Sequence, residues 1–305
     1  MVLYDVVILG GGPAGLTAAI YTCRAGWKTL LVEMGAPGGQ AATTEIIENY
    51  PGFPEGVSGP ELMLKFYNQA ARFGCEFMTA QVTGLTVEGG IKTVTTTQGD
   101  VEGKTIIVAT GAQPRELGVE GERKFRGRGV SYCATCDGFF FRQKKVAVIG
   151  GGDAAVEEAI YLSKLAQEVT IIHRRDAFRA AKVLGDRALQ VPNIKVIWDA
   201  VVDEIRGDSQ VKTLKLHNVK TQESQEVQVD GVFIYVGTQP NTDCLPAVIE
   251  RNPQGYIITN EALETRVPGV FAVGDCRFKG SRQVATAVGD GALVLPAVEK
   301  YLNSL

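Results

Sequence analysis

Apolar positions in this chain fall into short, nearly continuous runs that end in glycine turns and lead into amphipathic stretches. The run YDVVIL at 4–9, rich in β-branched residues, predicts a buried parallel strand. It meets Gly10, Gly12 and Gly15 of GGGPAG, and LTAAIYTCRAG then predicts a helix. A second strand is predicted from Lys28 to Val32. The same order returns at Lys145–Ile149, followed by Gly150 and Gly152 in GGGDAAVEEAIYLSKLA, with Ala155 in place of a third glycine. Two further apolar runs, KTIIVATGAQPR and GVFIYVGTQPNTD, each lead into Gly-Xaa-Xaa-Pro, at Pro114 and Pro240. They form a small internal repeat and read as the two crossings between domains, with hinge motion there as a hypothesis. Strands alternating with helices predict the α/β class.

At 305 residues the chain has room for about two domains, each with a substantial core. The 36 glycines suit a protein with many tight turns near bound phosphates. A net charge of −3 is too near neutral to imply nucleic-acid binding. No apolar run approaches the roughly 20 residues needed to span a bilayer. The segment VLYDVVILGGG at 2–12 reads as strand and turn rather than a basic leader, so a cytoplasmic location without membrane attachment is expected.

The first glycine turn has the form of a dinucleotide site. Its glycines allow a tight turn, close approach of backbone to a pyrophosphate, and close helix packing. The following helix offers free N–H groups and the positive end of its dipole to the phosphates. Glu33, about 20 residues beyond, can accept both ribose hydroxyls, and its charge disfavours a 2′-phosphate, which leaves FAD or NAD. Near the C-terminus, TRVPGVFAVGDCR places Asp275 after a short apolar strand. That arrangement resembles the second FAD signature of two-dinucleotide flavoproteins and favours FAD, although Asp275 alone equally suits a helix cap. A helix is predicted to begin near Gln283, with its dipole available to negative charge on a reduced flavin.

The second turn differs at its ribose position. Where Glu33 stands in the first unit, VTIIHRRDAFRA brings His173, Arg174 and Arg175, with Arg179 about one helical turn beyond. Guanidinium groups pair bidentately with phosphate, so this cluster fits the 2′-phosphate of NADPH. If Asp275, Arg282 and Gln283 touch a flavin they must join the N-terminal unit. The expected fold is therefore two Rossmann-like dinucleotide-binding domains, the NADPH domain (115–240) inserted within a discontinuous FAD domain (1–114 and 241–305).

Among six cysteines, only Cys133 and Cys136 are closely spaced. A CxxC pair beside a nucleotide-binding unit reads as a redox couple. Zinc would need further ligands, and neither His173 nor His217 stands at finger spacing, so no metal is expected. Cys23, Cys75, Cys244 and Cys276 are expected to be packed thiols. The basic segment Arg123–Arg128, with one aromatic, Phe125, reads either as a solvated loop or as a surface that steers an acidic partner toward the dithiol.

The run SYCATCDG, together with GGGPAGLTAAIYTCRA, GGQ, ENYPGFPEG, ATGAQPR, GGGDAAVEEA, HRRDAFRA and VGD in that order, resembles the low-molecular-weight, bacterial-type thioredoxin reductases. The resemblance spans nearly the whole chain. It implies an FAD-containing homodimer that passes electrons from NADPH, through flavin and a Cys133–Cys136 disulfide, to a thioredoxin-type disulfide. It further implies that Gly38, Gly39, Gln40 and Asn49 contact FAD, that Val82 lies near adenine, and that Arg282 and Gln283 lie near the flavin. Asp137 would be the acid/base that protonates a leaving thiolate, although before Gly138 it also suits a turn. Cys136 would face the flavin; which sulfur attacks the partner stays open. A ferredoxin-linked enzyme or an oxygen-using dithiol oxidase of the same fold leaves the HRRDAFR cluster unexplained. A redox sensor is the non-enzymatic alternative.

Overall fold

The computed structural model describes residues 2–44, 46–47 and 49–305. The chain divides into two compact units, Met1–Gln113 with Gln239–Leu305, and Pro114–Thr238.

In the first unit, β1 (Leu3–Leu9) leads through the glycine turn into α1 (Pro13–Arg24) and back along β2 (Thr29–Glu33). Helix α2 (Gly59–Arg72) precedes β3 (Glu76–Thr79), β4 (Val82–Thr86), β5 (Lys92–Thr96) and β6 (Val101–Val108). The sheet runs β3-β2-β1-β6-β5-β4, and β1 pairs in parallel with both β2 and β6. This is the Rossmann arrangement, in which a ligand site lies at the carboxyl ends of the strands. Val6, Val7, Ile8 and Leu9 are all fully buried, as expected of a central strand covered on both faces.

The chain leaves this unit through β7 (Ala112–Pro114). In the second unit, β8 (Val130–Ser131) precedes a single turn, α3 (Ala134–Asp137). Strand β9 (Lys145–Ile149), α4 (Asp153–Ser163), β10 (Glu168–Ile172), α5 (Lys182–Leu189) and β11 (Ile194–Ile197) follow. An antiparallel meander, β12 (Ala200–Gly207), β13 (Val211–Asn218) and β14 (Ser224–Gln228), returns the chain to β15 (Gly231–Ile234). The parallel sheet runs β11-β10-β9-β15-β8. One face packs on α4 through Val156, Ala159 and Leu162, the other on the meander through Ile205, Leu214 and Leu216.

Strand β16 (Thr238–Pro240) pairs with β7, so the two Gly-Xaa-Xaa-Pro segments form one small ladder. The first unit is completed by β17 (Val270–Ala272), α6 (Val284–Leu293) and α7 (Leu295–Leu302). Strand β17 adds to the sheet in parallel with the second half of β6. No helix among the described residues is long and apolar enough to cross a membrane.

Candidate active site

The first glycine turn is shaped by two requirements for the absence of a side chain. Gly10 has φ +108°, and a Cβ there would stand 2.5 Å from the Ala109 carbonyl oxygen. At Gly15 a Cβ would collide with the Gly10 carbonyl, so the missing side chain lets α1 start hard against the turn. Gly12, the α1 N-cap, has no side-chain cap and no atom within 4 Å of where its Cβ would be, which leaves an open face on the helix end. At the tip of β2, one Glu33 oxygen accepts the Gly11 N–H at 2.6 Å and the other accepts the Met34 N–H at 2.8 Å.

Other segments close around this turn. The Gly38 N–H donates to the Gly11 carbonyl at 2.7 Å, and a Cβ at Gly39 would approach Gly12 to 3.2 Å. Gln40 follows on the 3-10 turn Gly39–Thr43. The Asn49 side-chain amide donates to Gln283 Oε1 at 3.1 Å. Val82 opens β4 two residues after Ala80, whose N–H donates to the Glu33 carbonyl at 2.9 Å.

The parallel pairing of β17 with β6 delivers the 3-10 turn Gly274–Cys276 to the same unit. Asp290, on α6, organises it by accepting from the Gly274 N–H at 2.9 Å, Arg277 Nε at 2.9 Å and Lys279 Nζ at 3.1 Å. Lys279 also lies 3.5 Å from Asp275 Oδ1. Burial raises the Asp275 pKa despite Lys279 and Arg282 nearby, and beyond that long ion pair its buried Oδ1 has no hydrogen-bond donor. Arg282 stacks 4.1 Å above the Tyr256 ring, and its buried Nε is also without a partner. Gln283 is the α6 N-cap, in a reciprocal box with Thr286. A buried acceptor held only by a long ion pair and a buried donor without a partner fit a hydroxyl- and carbonyl-bearing group such as a flavin with its ribityl chain. Cys276 is the inert neighbour: burial pushes its thiol up to about 11.

In the second unit, residues 173–181 fold back over the basic turn. The Arg179 and Ala180 N–H groups both donate to the Gly151 carbonyl, at 2.7 and 3.1 Å. The Arg179 guanidinium would lie 3.2 Å from a Cβ on Gly152. Arg179 therefore reaches the glycine turn from a loop, not from a helical turn, since α5 begins only at Lys182. Arg174, Arg175 and Arg179 are exposed, whereas His173 is buried. Burial, with repulsion from the three arginines, lowers the His173 pKa, and the ring lies beside Gly151 with Nε2 unpartnered. The cationic share of the cluster is thus the three arginines. Ala155 is fully packed at the start of α4, which accommodates its methyl where a third glycine was absent.

Cys133 and Cys136 form a disulfide across α3, with Cα atoms 5.3 Å apart. Ser131 braces it by donating to Asp137 Oδ2 at 2.6 Å and accepting the Cys133 N–H at 3.1 Å. The Ala134 N–H, between the two sulfurs in sequence, donates to the Tyr235 hydroxyl at 2.5 Å. Tyr235 follows β15, its own N–H bonded to the Ile149 carbonyl at 2.8 Å beside the glycine turn. Burial holds the Tyr235 hydroxyl far above its usual pKa, reinforced by Glu158 on α4. Burial also pushes Glu158 up to about 7, and its Oε2 lacks a partner.

No local sequence pattern marks Ser131, Tyr235, Glu158 or Asp290 as site residues. Ser131 lies inside the quoted SYCATCDG run, but no local spacing marks its bond to Asp137. Tyr235 is 101 residues from Ala134, and only the strand order β9-β15-β8 brings it there. The basic loop 123–128 needs a correction. Phe125 is 1% exposed in the second unit's core, so the aromatic is structural, while Lys124, Arg126 and Arg128 remain on the surface.

The sequence matches the family described as pyridine nucleotide-disulphide oxidoreductase over residues 4–291. It is 46% identical to the thioredoxin reductase of Treponema pallidum over 302 residues, covering 99% of this chain and 98% of that one. With the Bacillus subtilis thioredoxin reductase the identity is 44% over 304 residues, covering 99% and 96%. The fold is similar to the crystal structure of thioredoxin reductase from Streptococcus pyogenes, with TM-score 0.91, 47% identity and 99% of each chain covered. Thioredoxin reductase from Giardia duodenalis gives the same TM-score, 0.91, at 35% identity, with 99% and 100% covered. The chain therefore belongs to the pyridine nucleotide-disulphide oxidoreductases and, within them, to the thioredoxin reductases.

Proposed function

We propose that this enzyme transfers electrons from NADPH, through FAD and the Cys133–Cys136 disulfide, to an oxidised thioredoxin. The observation that carries this reading is the disulfide itself, bracketed by Ser131 and Asp137 and tied through Tyr235 to the edge of a basic nucleotide turn. The discontinuous unit is read as the FAD unit and Pro114–Thr238 as the NADPH unit. The enzyme is read as a cytoplasmic homodimer, acting without nucleic acid or membrane.

Bound FAD would supply the two-electron chemistry, taking hydride from a reduced nicotinamide and passing electrons on to a disulfide. The glycine turns and helix ends of α1 and α4 hold pyrophosphates, while Glu33 accepts ribose hydroxyls in one unit. In the other, Arg174, Arg175 and Arg179 pair with the 2′-phosphate that distinguishes NADPH. Asp275 and Arg282 use buried polar atoms, and Gln283 its place at the α6 N-terminus, to orient the flavin. Gly38, Gly39, Gln40, Asn49 and Val82 enclose the rest of the FAD.

When the disulfide opens, each sulfur gains one electron and the departing sulfur needs a proton. Asp137, held by Ser131, supplies it and later removes it, so that a thiolate can attack the partner disulfide. The exchange runs through a mixed disulfide, which the second sulfur resolves.

Replacing either Cys133 or Cys136 by Ser tests the relay. FAD content and bleaching by NADPH are expected to persist while thioredoxin turnover disappears. Near-parental thioredoxin reduction in either variant would reject this function and favour a redox sensor.

A further inference from the structure

Three carboxylates share the surroundings of the basic cluster in the second unit. Asp176 follows Arg175 in the chain, the Asp199 N–H donates to the Arg175 carbonyl at 3.2 Å, and Asp153 lies at the start of α4 beside Gly152. Yet among the described residues no carboxylate pairs with the guanidinium of Arg174, Arg175 or Arg179. Each carboxylate has a different donor. Asp153 Oδ1 accepts the Ala181 N–H at 2.7 Å. Asp176 Oδ2 and Asp199 Oδ1 both lie 3.0 Å from one ammonium, Lys220 Nζ.

Lys220 reaches them from the turn between β13 and β14, 44 residues beyond Asp176. That turn is built locally. The Asn218 side chain accepts the N–H groups of Lys220 and Thr221 at 2.8 and 3.0 Å, and the Asn218 N–H donates to the Glu223 carbonyl at 2.9 Å. The Val219 N–H donates to the Asp199 carbonyl at 2.6 Å, which docks the turn on the loop between β11 and β12. Asp199 itself has φ +54°, a left-handed conformation that Asp tolerates better than most residues. Its backbone therefore faces Arg175 through the N–H and Val219 through the carbonyl.

We propose that Lys220 is a positioning residue for donor choice: by holding Asp176 and Asp199 it keeps the three arginines available to the 2′-phosphate of NADPH. This rests on the reading of the basic cluster as the 2′-phosphate site. Guanidinium groups bind carboxylate and phosphate with the same bidentate geometry, so an unoccupied Asp176 competes with the ligand for Arg174 and Arg175. Its negative charge would also repel the phosphate. Lys220 removes both effects and adds a positive charge of its own to the surroundings. NADH carries no 2′-phosphate, so its binding is indifferent to this arrangement.

The test uses the oxidised, FAD-loaded enzyme in low-salt buffer, where exposed charges are least screened. Isothermal titration calorimetry measures NADP⁺ binding, and steady-state kinetics with thioredoxin give KM for NADPH and for NADH. Lys220→Met is expected to weaken NADP⁺ binding and raise the KM for NADPH by about threefold to fivefold, the scale of an exposed charge pair. The kcat and the KM for NADH should not change. Asp176→Asn combined with Lys220→Met should recover most of the loss, because the competing carboxylate is gone; a distorted turn would not be repaired by that second substitution. Parental NADP⁺ affinity in Lys220→Met, an equal loss for NADPH and NADH, or a loss that Asp176→Asn leaves in place would overturn the proposal while the parent's preference for NADPH stands. A parent without that preference would overturn the 2′-phosphate reading and this inference together.

Discussion

Ser131 and Asp137 stand on either side of the disulfide, joined by a hydrogen bond of 2.6 Å from the Ser131 hydroxyl to the Asp137 carboxylate. Ser131 also receives the Cys133 N–H, so one hydroxyl sets both the first sulfur's backbone and the carboxylate beside the second. A hydrogen bond to a charged group contributes about 1.5 to 3 kcal/mol. Ser131→Ala is therefore expected to slow thioredoxin turnover by about tenfold or more, with FAD content unchanged. Asp137→Asn, which removes the proposed acid/base itself, should cost about 10²-fold or more. Stopped-flow absorbance separates the steps: flavin bleaching by NADPH should stay fast in both variants while the dithiol–disulfide step slows. Equal turnover in Ser131→Ala and parent would show that Asp137 does not depend on this bond.

Donor choice should rest on the exposed guanidinium groups of Arg174, Arg175 and Arg179, the last of which lies against the second glycine turn. Replacing Arg174 and Arg175 together by Ala removes two candidate phosphate contacts, each worth about 1.5 to 3 kcal/mol. The KM for NADPH should rise by about 10²-fold or more, and that for NADH should barely change. His173 is buried against Phe178 and Trp198, so His173→Gln should disturb that packing more than phosphate affinity. Steady-state kinetics with both donors decides the assignment, and an unchanged NADPH preference in the double variant would rule it out.

Asp290 should matter more to the discontinuous unit, proposed above to hold FAD, than its distance in sequence from the glycine turn suggests. Its side chain is 10% exposed and pairs with Arg277 at 18% and Lys279 at 8%. Breaking a buried ion pair by removing one partner costs about 3 to 5 kcal/mol, because the remaining charges are left uncompensated. Asp290→Asn is expected to lower Tm by several degrees and to release FAD more readily on dilution or mild chaotrope. Flavin fluorescence during thermal melting reads both effects. A melt that matches the parent would show that Arg277 and Lys279 find other partners.

The parts of this architecture that were legible in sequence are those written locally. β1 and β9 show as apolar runs because central strands are covered on both faces. Gly10 and Gly15 show because their backbones allow no Cβ. The acidic and basic ends of β2 and β10 show because each follows its glycine turn at a set distance. What was not legible depends on return paths of the chain. Arg179 reads as lying a helical turn past Arg175, but the loop doubles back so that its N–H reaches Gly151. Phe125 reads as part of a basic surface, yet the Phe125–Val130 turn points it into the core against the meander. Tyr235 carries no motif, and its meeting with Ala134 is a product of β15 lying between β9 and β8.

Glu158 connects the disulfide's support to pH. Burial raises its pKa from 4.5 to about 7, so the folded protein favours the protonated form and binds that proton more tightly than the unfolded chain. Stability falls with rising pH wherever the native state holds more protons. The Glu158 contribution is therefore fully present below about pH 4.5, declines between there and about 7, and is lost above the folded pKa. Allowing for partial solvent screening, its size is about 2 kcal/mol. Glu158→Gln keeps the shape and stays neutral at every pH, so the variant should gain on the parent as pH rises from 4.5 to 7, then run parallel to it. Urea denaturation of the FAD-loaded protein at half-unit pH steps measures the difference. A constant gap across that window would mean that Glu158 reaches solvent or a cation and ionises at its ordinary pKa.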